Sequence, residues 1–384
     1  MDARKQNPGA ISGNNKPPRF TIAVFEGDGI GPEIMKPTVA LLREISVATG
    51  AFSLDFETVP AGATHYAKHG VSLPEESMKT AKEADAILLS AMGMPDIRYP
   101  DGTEISPQIE LRMELGLFAG VRPVIIQPGQ GSPLKVAEER GIDFVIIRES
   151  TEGLFASHGK GRINDNISAE ETLVITREVS EKLFEFAFNL ARRRKETGRG
   201  PGRVHCVDKA NVFQAFAFFR SIFDEVAARH RDIKADAAYV DAAALWMVQR
   251  PQIFDVLVTE NMFGDILSDL GAGLMGSLGL APSADIGSDH AVFQPCHGSA
   301  PDIAGRNIAN PLAMILSAAM MLEWLGQKSG TAEMQTVSDS LSGAVADVMA
   351  AGSAKTPDLG GTASTDDVAE AVLEAFRNRT GTTA

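Results

Sequence analysis

Two carboxylates stand four residues apart in residues 256–269, VLVTENMFGDILSD: Asp265 and Asp269, within a stretch of helical apolar spacing. On a helix they share one face, one turn apart, where two solvated like charges repel by roughly a few tenths of a kcal/mol. A hard divalent cation, Mg²⁺ or Mn²⁺, would convert that repulsion into ligation. Such ions take oxygen ligands, commonly one or two carboxylates with substrate oxygens and water completing the shell. A solvated acidic face is the plainer alternative that the pair alone leaves open.

Three arginines offer complementary chemistry. Arg112 and Arg122 flank a leucine-patterned helix end, LRMELGLFAGVRP, and Arg148 follows the apolar run FVII of residues 144–147. Guanidiniums at element ends of an acidic chain suit bidentate recognition of carboxylates, with surface salt bridges as the alternative for any single one. Lys209 stands where a strand gives way to a helix and is a candidate general base. Asp241, with Tyr239 and Val240, precedes a further helix.

These residues need a frame. TIAVF (21–25), AILLS (86–90) and FVII are short continuous apolar runs, as a parallel strand buried on both faces requires. TIAVF, the turn EGDGIGPE and a helix opened by Pro32 make a first βα unit. Gly27, Gly29 and Gly31 follow G-x-G-x-G spacing and not the dinucleotide fingerprint G-x-G-x-x-G, so a tight turn that needs glycine explains them equally well. Helical patterns cover residues 34–45, 179–191, 213–227, 314–324 and 366–376, while the polar, glycine-rich 154–167 reads as a projecting hairpin or arm. Residues 293–311 carry no apolar period and read as a long functional loop. With no internal repeat, the expected architecture is α/β with a parallel-rich sheet.

Length and composition set the bounds. A chain of 384 residues, 44% hydrophobic, can bury a large core and suggests two domains. A net charge of −14 argues against a nucleic-acid surface. Cys206 and Cys296 make no disulfide framework, no apolar run reaches the ~18 residues of a membrane span, and a cytoplasmic location is expected. Residues 1–19, rich in Asn, Gly, Pro and basic side chains, read as a disordered tail.

Six stretches in order, GDGIGPE (27–33), LFAGVRP (117–123), DKANV (208–212), NMFGDILSD (261–269), HGSAPDIAG (297–305) and TPDLGGTAST (356–365), give a stronger signal than any one motif. From Thr21 onward the chain resembles the β-decarboxylating dehydrogenases, the family of isopropylmalate, isocitrate, homoisocitrate and tartrate/malate dehydrogenases. The resemblance implies a two-domain isopropylmalate dehydrogenase-like fold, not a standard Rossmann unit. Residues 20–117 and 276–384 would form the cofactor side, and 118–275 the substrate and dimerisation side with an arm near 151–176. It implies that Arg112, Arg122 and Arg148 bind substrate carboxylates, that Asp265 and Asp269 hold Mg²⁺ or Mn²⁺ with Asp241 of a partner subunit, and that Lys209, also the partner's, moves a proton. His297, Gly298, Ser299, Ala300, Asp302, Ile303 and Asn310 would contact NAD. An aspartate at 302 can accept from both ribose hydroxyls and repels the 2′-phosphate of NADP. The implied reaction is oxidation and decarboxylation of a 2-hydroxy-3-carboxy acid by a homodimer with shared sites.

Two departures bear on that reading. Phe155 stands where the family usually has a tyrosine, and a phenyl ring has no proton to donate. Ser106 and Gln108 stand near the first arginine where isopropylmalate enzymes carry leucines, and resemble the polar pattern of isocitrate dehydrogenases. Isopropylmalate is the lead substrate; isocitrate, homoisocitrate, tartrate and malate are alternatives, and a weakly catalytic or regulatory homologue is a reading of a different class.

Overall fold

The computed structural model describes residues 17–127 and 130–382. Most of the expected tail, residues 1–16, lies outside the described residues. Its expected end is corrected, because Arg19 already belongs to the first strand.

Twelve strands occur among the described residues: β1 (Arg19–Phe25), β2 (Ser53–Thr58), β3 (Ala86–Leu89), β4 (Ala119–Ile126), β5 (Ile142–Glu149), β6 (Arg162–Asn164), β7 (Ser168–Glu170), β8 (Arg203–Asp208), β9 (Lys234–Tyr239), β10 (Val256–Thr259), β11 (Pro282–Ile286) and β12 (Ala291–Pro295). Ten form one sheet in the order β2-β1-β3-β12-β11-β4-β5-β10-β8-β9. All neighbours pair in parallel except β11 with β12, β11 with β4, and β4 with β5. Strands β1, β2, β3, β12 and β4 therefore run one way, and β11, β5, β10, β8 and β9 the other. The direction changes in the middle of the sheet, where the candidate site lies.

The apolar runs are buried as their composition demands. Every residue of β3 and β10 is buried, and β5 is buried apart from Asp143. The helices Arg177–Glu196 and Leu312–Ser329 carry the broad apolar faces that cover the sheet. The hairpin expected at 154–167 lies later in the chain: β6 and β7 form an exposed antiparallel hairpin whose turn residues Asp165 and Asn166 take left-handed conformations, while Phe155–Ser157 form a short, partly buried helical turn. An isolated two-stranded hairpin is marginally stable in water, so its support must come from outside the hairpin.

Three local expectations are corrected. Arg122 is not at an element end but inside β4, because LRMELGLFAGVRP turns from helix (Pro107–Glu114) to strand. The loop expected at 293–311 begins later, since Phe293–Pro295 complete β12. Val240 and Asp241 lie within the helix Val240–Gln249, in its first turn, and do not precede it.

Candidate active site

Three buried guanidiniums meet in one cleft of about 240 Å³, lined also by Gln108, Asp265 and Asp269. Arg112 comes from the last turn of helix Pro107–Glu114, Arg122 from β4 and Arg148 from β5. Like charges at such density need a counterion, and Asp285 of β11 supplies it. Its carboxylate accepts from Arg112 Nη2 at 3.1 Å, Arg122 Nη2 at 3.1 Å and Gln294 Nε2 at 2.7 Å. Burial works to raise the Asp285 pKa, but Arg112, Arg122 and Arg148 overcome it and hold the group down to about 2. Arg148 shows the opposite balance: burial lowers it to about 10, opposed by Asp265 and assisted by Arg112 and Arg122.

Gly120 explains how Asp285 fits. It pairs with Asp285 on one side and Arg148 on the other. A Cβ there would lie 2.7 Å from Ser150 Oγ and 3.1 Å from Asp285 Oδ1.

Helix Asn261–Met275 brings the acidic pair. Glu260 caps its start by accepting from the Met262 and Phe263 N–H groups. Gly264 lets it press on β5, since a Cβ there would stand 2.6 Å from Arg148 Cβ. Arg148 Nη1 pairs with Asp265, while its Nε and Nη2 donate to Asn261 Oδ1 at 3.2 and 2.8 Å. Asp269 is raised, first by burial and then by the neighbouring Asp265 charge. Two crowded carboxylates facing a cleft form an oxygen-only donor set that fits a hard divalent cation. Among the described residues of one chain, no group of three or more His, Cys, Asp and Glu side chains could hold a metal ion.

Lys209 and Asp241 are not brought to this cleft. They pair with each other instead, at the end of β8 and on the helix after β9, with the Asp241 side chain 68% exposed. That contact holds the Asp241 carboxyl below its ordinary value, the Lys209 hydrogen bond being the largest cause.

The glycine turn is a scaffold. Gly27 and Gly29 take left-handed conformations, and a Cβ on Gly29 would fall 2.0 Å from Ser299 O. Ile30 N–H donates to that same oxygen at 2.8 Å. Asp28 accepts from the N–H groups of Ala63, Thr64 and Gly93, and Glu33 from those of Gly305, Ile308 and Ala309. The motif thus anchors the loop after β12. In that loop His297 and Gly298 line the cleft, Ser299 is buried with its hydroxyl on Gly93 O, Ala300 has a left-handed φ of 37°, and Ile303 is half-buried. Asp302 is exposed. Asn310 is buried, its Nδ2 on Asp358 at 3.1 Å and its Oδ1 accepting from Leu312 N–H.

Phe155 reaches the site: its ring lies 5.9 Å from the Arg148 guanidinium and 6.3 Å from the His158 ring. Ser106 starts the helix that carries Gln108 and Arg112 but makes no side-chain cap. Gln108 Oε1 and His297 Nε2 are buried polar atoms without a partner, so this cleft retains hydrogen-bonding capacity for a ligand.

Asp285, Asn261, Gln294 and Glu33 escaped the sequence reading as functional candidates. A signal for Asp285 was present: it is the only charged residue between Asp269 and Asp289. A lone carboxylate in so uncharged a run must be paired if buried.

The sheet reverses direction at its centre, and arginines and carboxylates converge on the reversal. The family model described as isocitrate/isopropylmalate dehydrogenase matches residues 21–372, and the chain belongs to that family. It is 43% identical over 357 residues, 93% of this chain and 98% of the other, to the 3-isopropylmalate/3-methylmalate dehydrogenase of Methanocaldococcus jannaschii. To the homoisocitrate dehydrogenase of the same organism it is 41% identical over 369 residues, 93% of this chain and 98% of the other. Among solved structures, isocitrate dehydrogenase from Methylococcus capsulatus aligns with a TM-score of 0.78 at 37% identity, covering 93% of this chain and 99% of that one. The protein is a β-decarboxylating dehydrogenase of the isopropylmalate/isocitrate type. No helix among the described residues is long and apolar enough to cross a membrane.

Proposed function

We propose that the protein oxidises and decarboxylates a 2-hydroxy-3-carboxy acid of the 3-isopropylmalate kind, with NAD and Mg²⁺ or Mn²⁺. The observation that carries the reading is the convergence of three buried arginines and the Asp265–Asp269 pair on one cleft beside the His297 loop. When bound, the cation supplies Lewis acidity and the nicotinamide a hydride acceptor. Arg112, Arg122 and Arg148 orient the two carboxylates, and the buried walls exclude water from the reacting carbons. Asp265 and Asp269 would hold the cation, and Asp302 would take the ribose hydroxyls.

The reading needs a second copy of the chain, because Lys209 and Asp241 sit off the cleft of their own chain. Exposed apolar side chains support the pairing: Phe213 follows Lys209 in the same connection, Leu245 shares the helix of Asp241, Met262 and Ile266 share the helix of Asp265 and Asp269, and Ile163 and Ile167 lie on the arm. Lys209 of that copy would take the hydroxyl proton at the substrate C2 oxygen. The two-part division at 20–117 with 276–384 and at 118–275 belongs to the same proposal, with the cleft between the parts.

A second reading, a polar C3 substituent as in homoisocitrate, is favoured by the unpartnered Gln108 Oε1. NADH formation with Mn²⁺ across isopropylmalate, isocitrate, homoisocitrate, tartrate and malate decides between them. Isopropylmalate ranking last would remove the lead substrate, and activity unaffected by EDTA would remove the metal.

A further inference from the structure

The acidic partner of the arginines has a consequence beyond holding them still. Arg112, Arg122 and Arg148 bring three positive charges, and Asp285 removes one, leaving two. In the proposed site the dication's two charges offset Asp269 and Asp265, which otherwise pairs with Arg148, and the second copy's Lys209 and Asp241 offset each other, so the balance of two stands. Two net charges complement two carboxylates. Among the described residues of one chain no lysine or fourth arginine lines the cleft: around the arginines stand the neutral Gln108 amide, Gln294, and the apolar Leu89, Ala91 and Met92. Asp285 itself is 2% exposed and lies behind the arginines, so it touches no ligand directly. Its two oxygens divide the work. Oδ1 takes Arg122, which also donates to Ala284 O at 3.0 Å, and Oδ2 takes Arg112 and Gln294.

We infer that Asp285 is a positioning and charge-setting residue: by pinning Arg112 and Arg122 and cancelling one of their charges, it tunes the cleft to hydroxy acids with two carboxylates and against those with three. The inference rests on the proposed reading of the cleft as a 2-hydroxy-3-carboxy acid site. A carboxylate that merely compensated buried arginines during folding would leave discrimination between ligands unchanged. A charge-setting one moves it, because one unit charge a few ångströms from a ligand anion acts through a medium of effective dielectric about 20, far below that of water. Gln294 offers the means of relocating the charge: it lines the cleft and touches Asp285 from the adjacent antiparallel strand.

The test compares the full chain with Asp285→Asn, Gln294→Glu and the double variant, each with Mn²⁺. Two ligands are used, 3-isopropylmalate with two carboxylates and homoisocitrate with three. Steady-state kinetics give kcat and KM, and calorimetry gives equilibrium affinity. Asp285→Asn is expected to raise the ratio of kcat/KM for three carboxylates over two by about tenfold, chiefly through KM. Gln294→Glu should lower the ratio, and the double variant should return it to within about threefold of the parent. A ratio unchanged in a folded Asp285→Asn, or a double variant that behaves like the single one, overturns the inference. If Asp285→Asn does not fold alone, the double variant compared with Gln294→Glu decides: a ratio about tenfold higher in the double variant supports charge setting by Asp285, and equal ratios refute it. A parent enzyme that binds both acids by calorimetry but turns over neither rejects the proposed activity while leaving the affinity ratio to judge Asp285.

Discussion

Glu33 ties the start of the chain to the loop proposed to hold the nucleotide, and its removal gives a sharp test. Oε1 accepts from Ile308 N–H at 2.9 Å, Ala309 N–H at 3.0 Å and the Thr365 hydroxyl at 3.0 Å, and Oε2 from Gly305 N–H at 2.9 Å. Burial works to raise this carboxyl, but those donors win and lower it. Hydrogen bonds to a charged group contribute about 1.5–3 kcal/mol each in favourable cases. Glu33 is half-buried, so water replaces part of what is lost. Glu33→Ala is therefore expected to cost about 4 kcal/mol of local stability, and Glu33→Gln about 2 kcal/mol, since the amide oxygen can serve three donors while its NH₂ opposes the Gly305 N–H. If the loop is then competent about a tenth of the time, NAD affinity falls about tenfold. Isopropylmalate affinity should change less than about twofold, because the arginines sit on other elements. Fluorescence titration with NADH and calorimetry with substrate measure the two. Unchanged nucleotide affinity in a folded Glu33→Ala refutes the anchoring argument, and equal losses for both ligands refute the division of labour.

Phe155→Tyr should raise the rate of CO₂ release from the 2-oxo intermediate by about 10², as recovery of a general acid commonly does; CO₂ trapping that shows no gain places the acid elsewhere. Gly29→Ala forces a Cβ 2.0 Å from a backbone oxygen at a left-handed φ of 57°, so failure to yield folded protein is expected, and a soluble variant with parent-like melting contradicts the packing. Asp269→Asn relieves the repulsion with Asp265, and Mn²⁺ affinity by calorimetry should fall at least about tenfold; equal affinity in parent and variant removes Asp269 from the cation site. Asp285, held down to about 2, stabilises the fold by roughly 2 kcal/mol above the ordinary aspartate range. Because its folded value is depressed, that contribution is lost as pH falls from the ordinary range through about 2, and Asp285→Asn should show a shallower acid-unfolding curve between pH 4 and pH 2 by circular dichroism.

The central strands were legible because burial on both faces demands an uninterrupted apolar run, as in TIAVF, AILLS and FVII. The edge strands were not. SLDFET of β2 and KADAAY of β9 have exposed or half-exposed positions and no such run. Neither were β11 and β12, whose PSADI and AVFQP are buried yet carry Ser283, Asp285 and Gln294, each engaged by a specific partner. Burial of a polar residue depends on its partner, and the arginine partners of Asp285 lie more than a hundred residues away. Residue types alone left the arginines and the Asp265–Asp269 pair open to plain surface readings; the resemblance grouped them, the structure lines one cleft with them, and neither residue types nor resemblance foresaw the carboxylate that holds the arginines together.

Within one chain Lys209 and Asp241 stand off the cleft. Lys209 and Asp241 lie on β8's exit and the helix after β9, at the far end of the sheet from β3 and β12, whose ends meet the His297 loop. They pair with each other there and line no part of their own chain's cleft, although only β10 separates β8 from β5 and its Arg148. If these two groups serve the chemistry, they serve a neighbour, and each chain's apolar helices beside them are the surface through which they are delivered. Mixing an inactive Lys209→Ala chain with an inactive Asp269→Asn chain then has a definite expectation: heterodimers recover about half a parent dimer's activity, because one of their two sites draws intact residues from both copies. Mixtures that stay inactive after verified subunit exchange would place both residues in the cleft of their own chain, against the geometry.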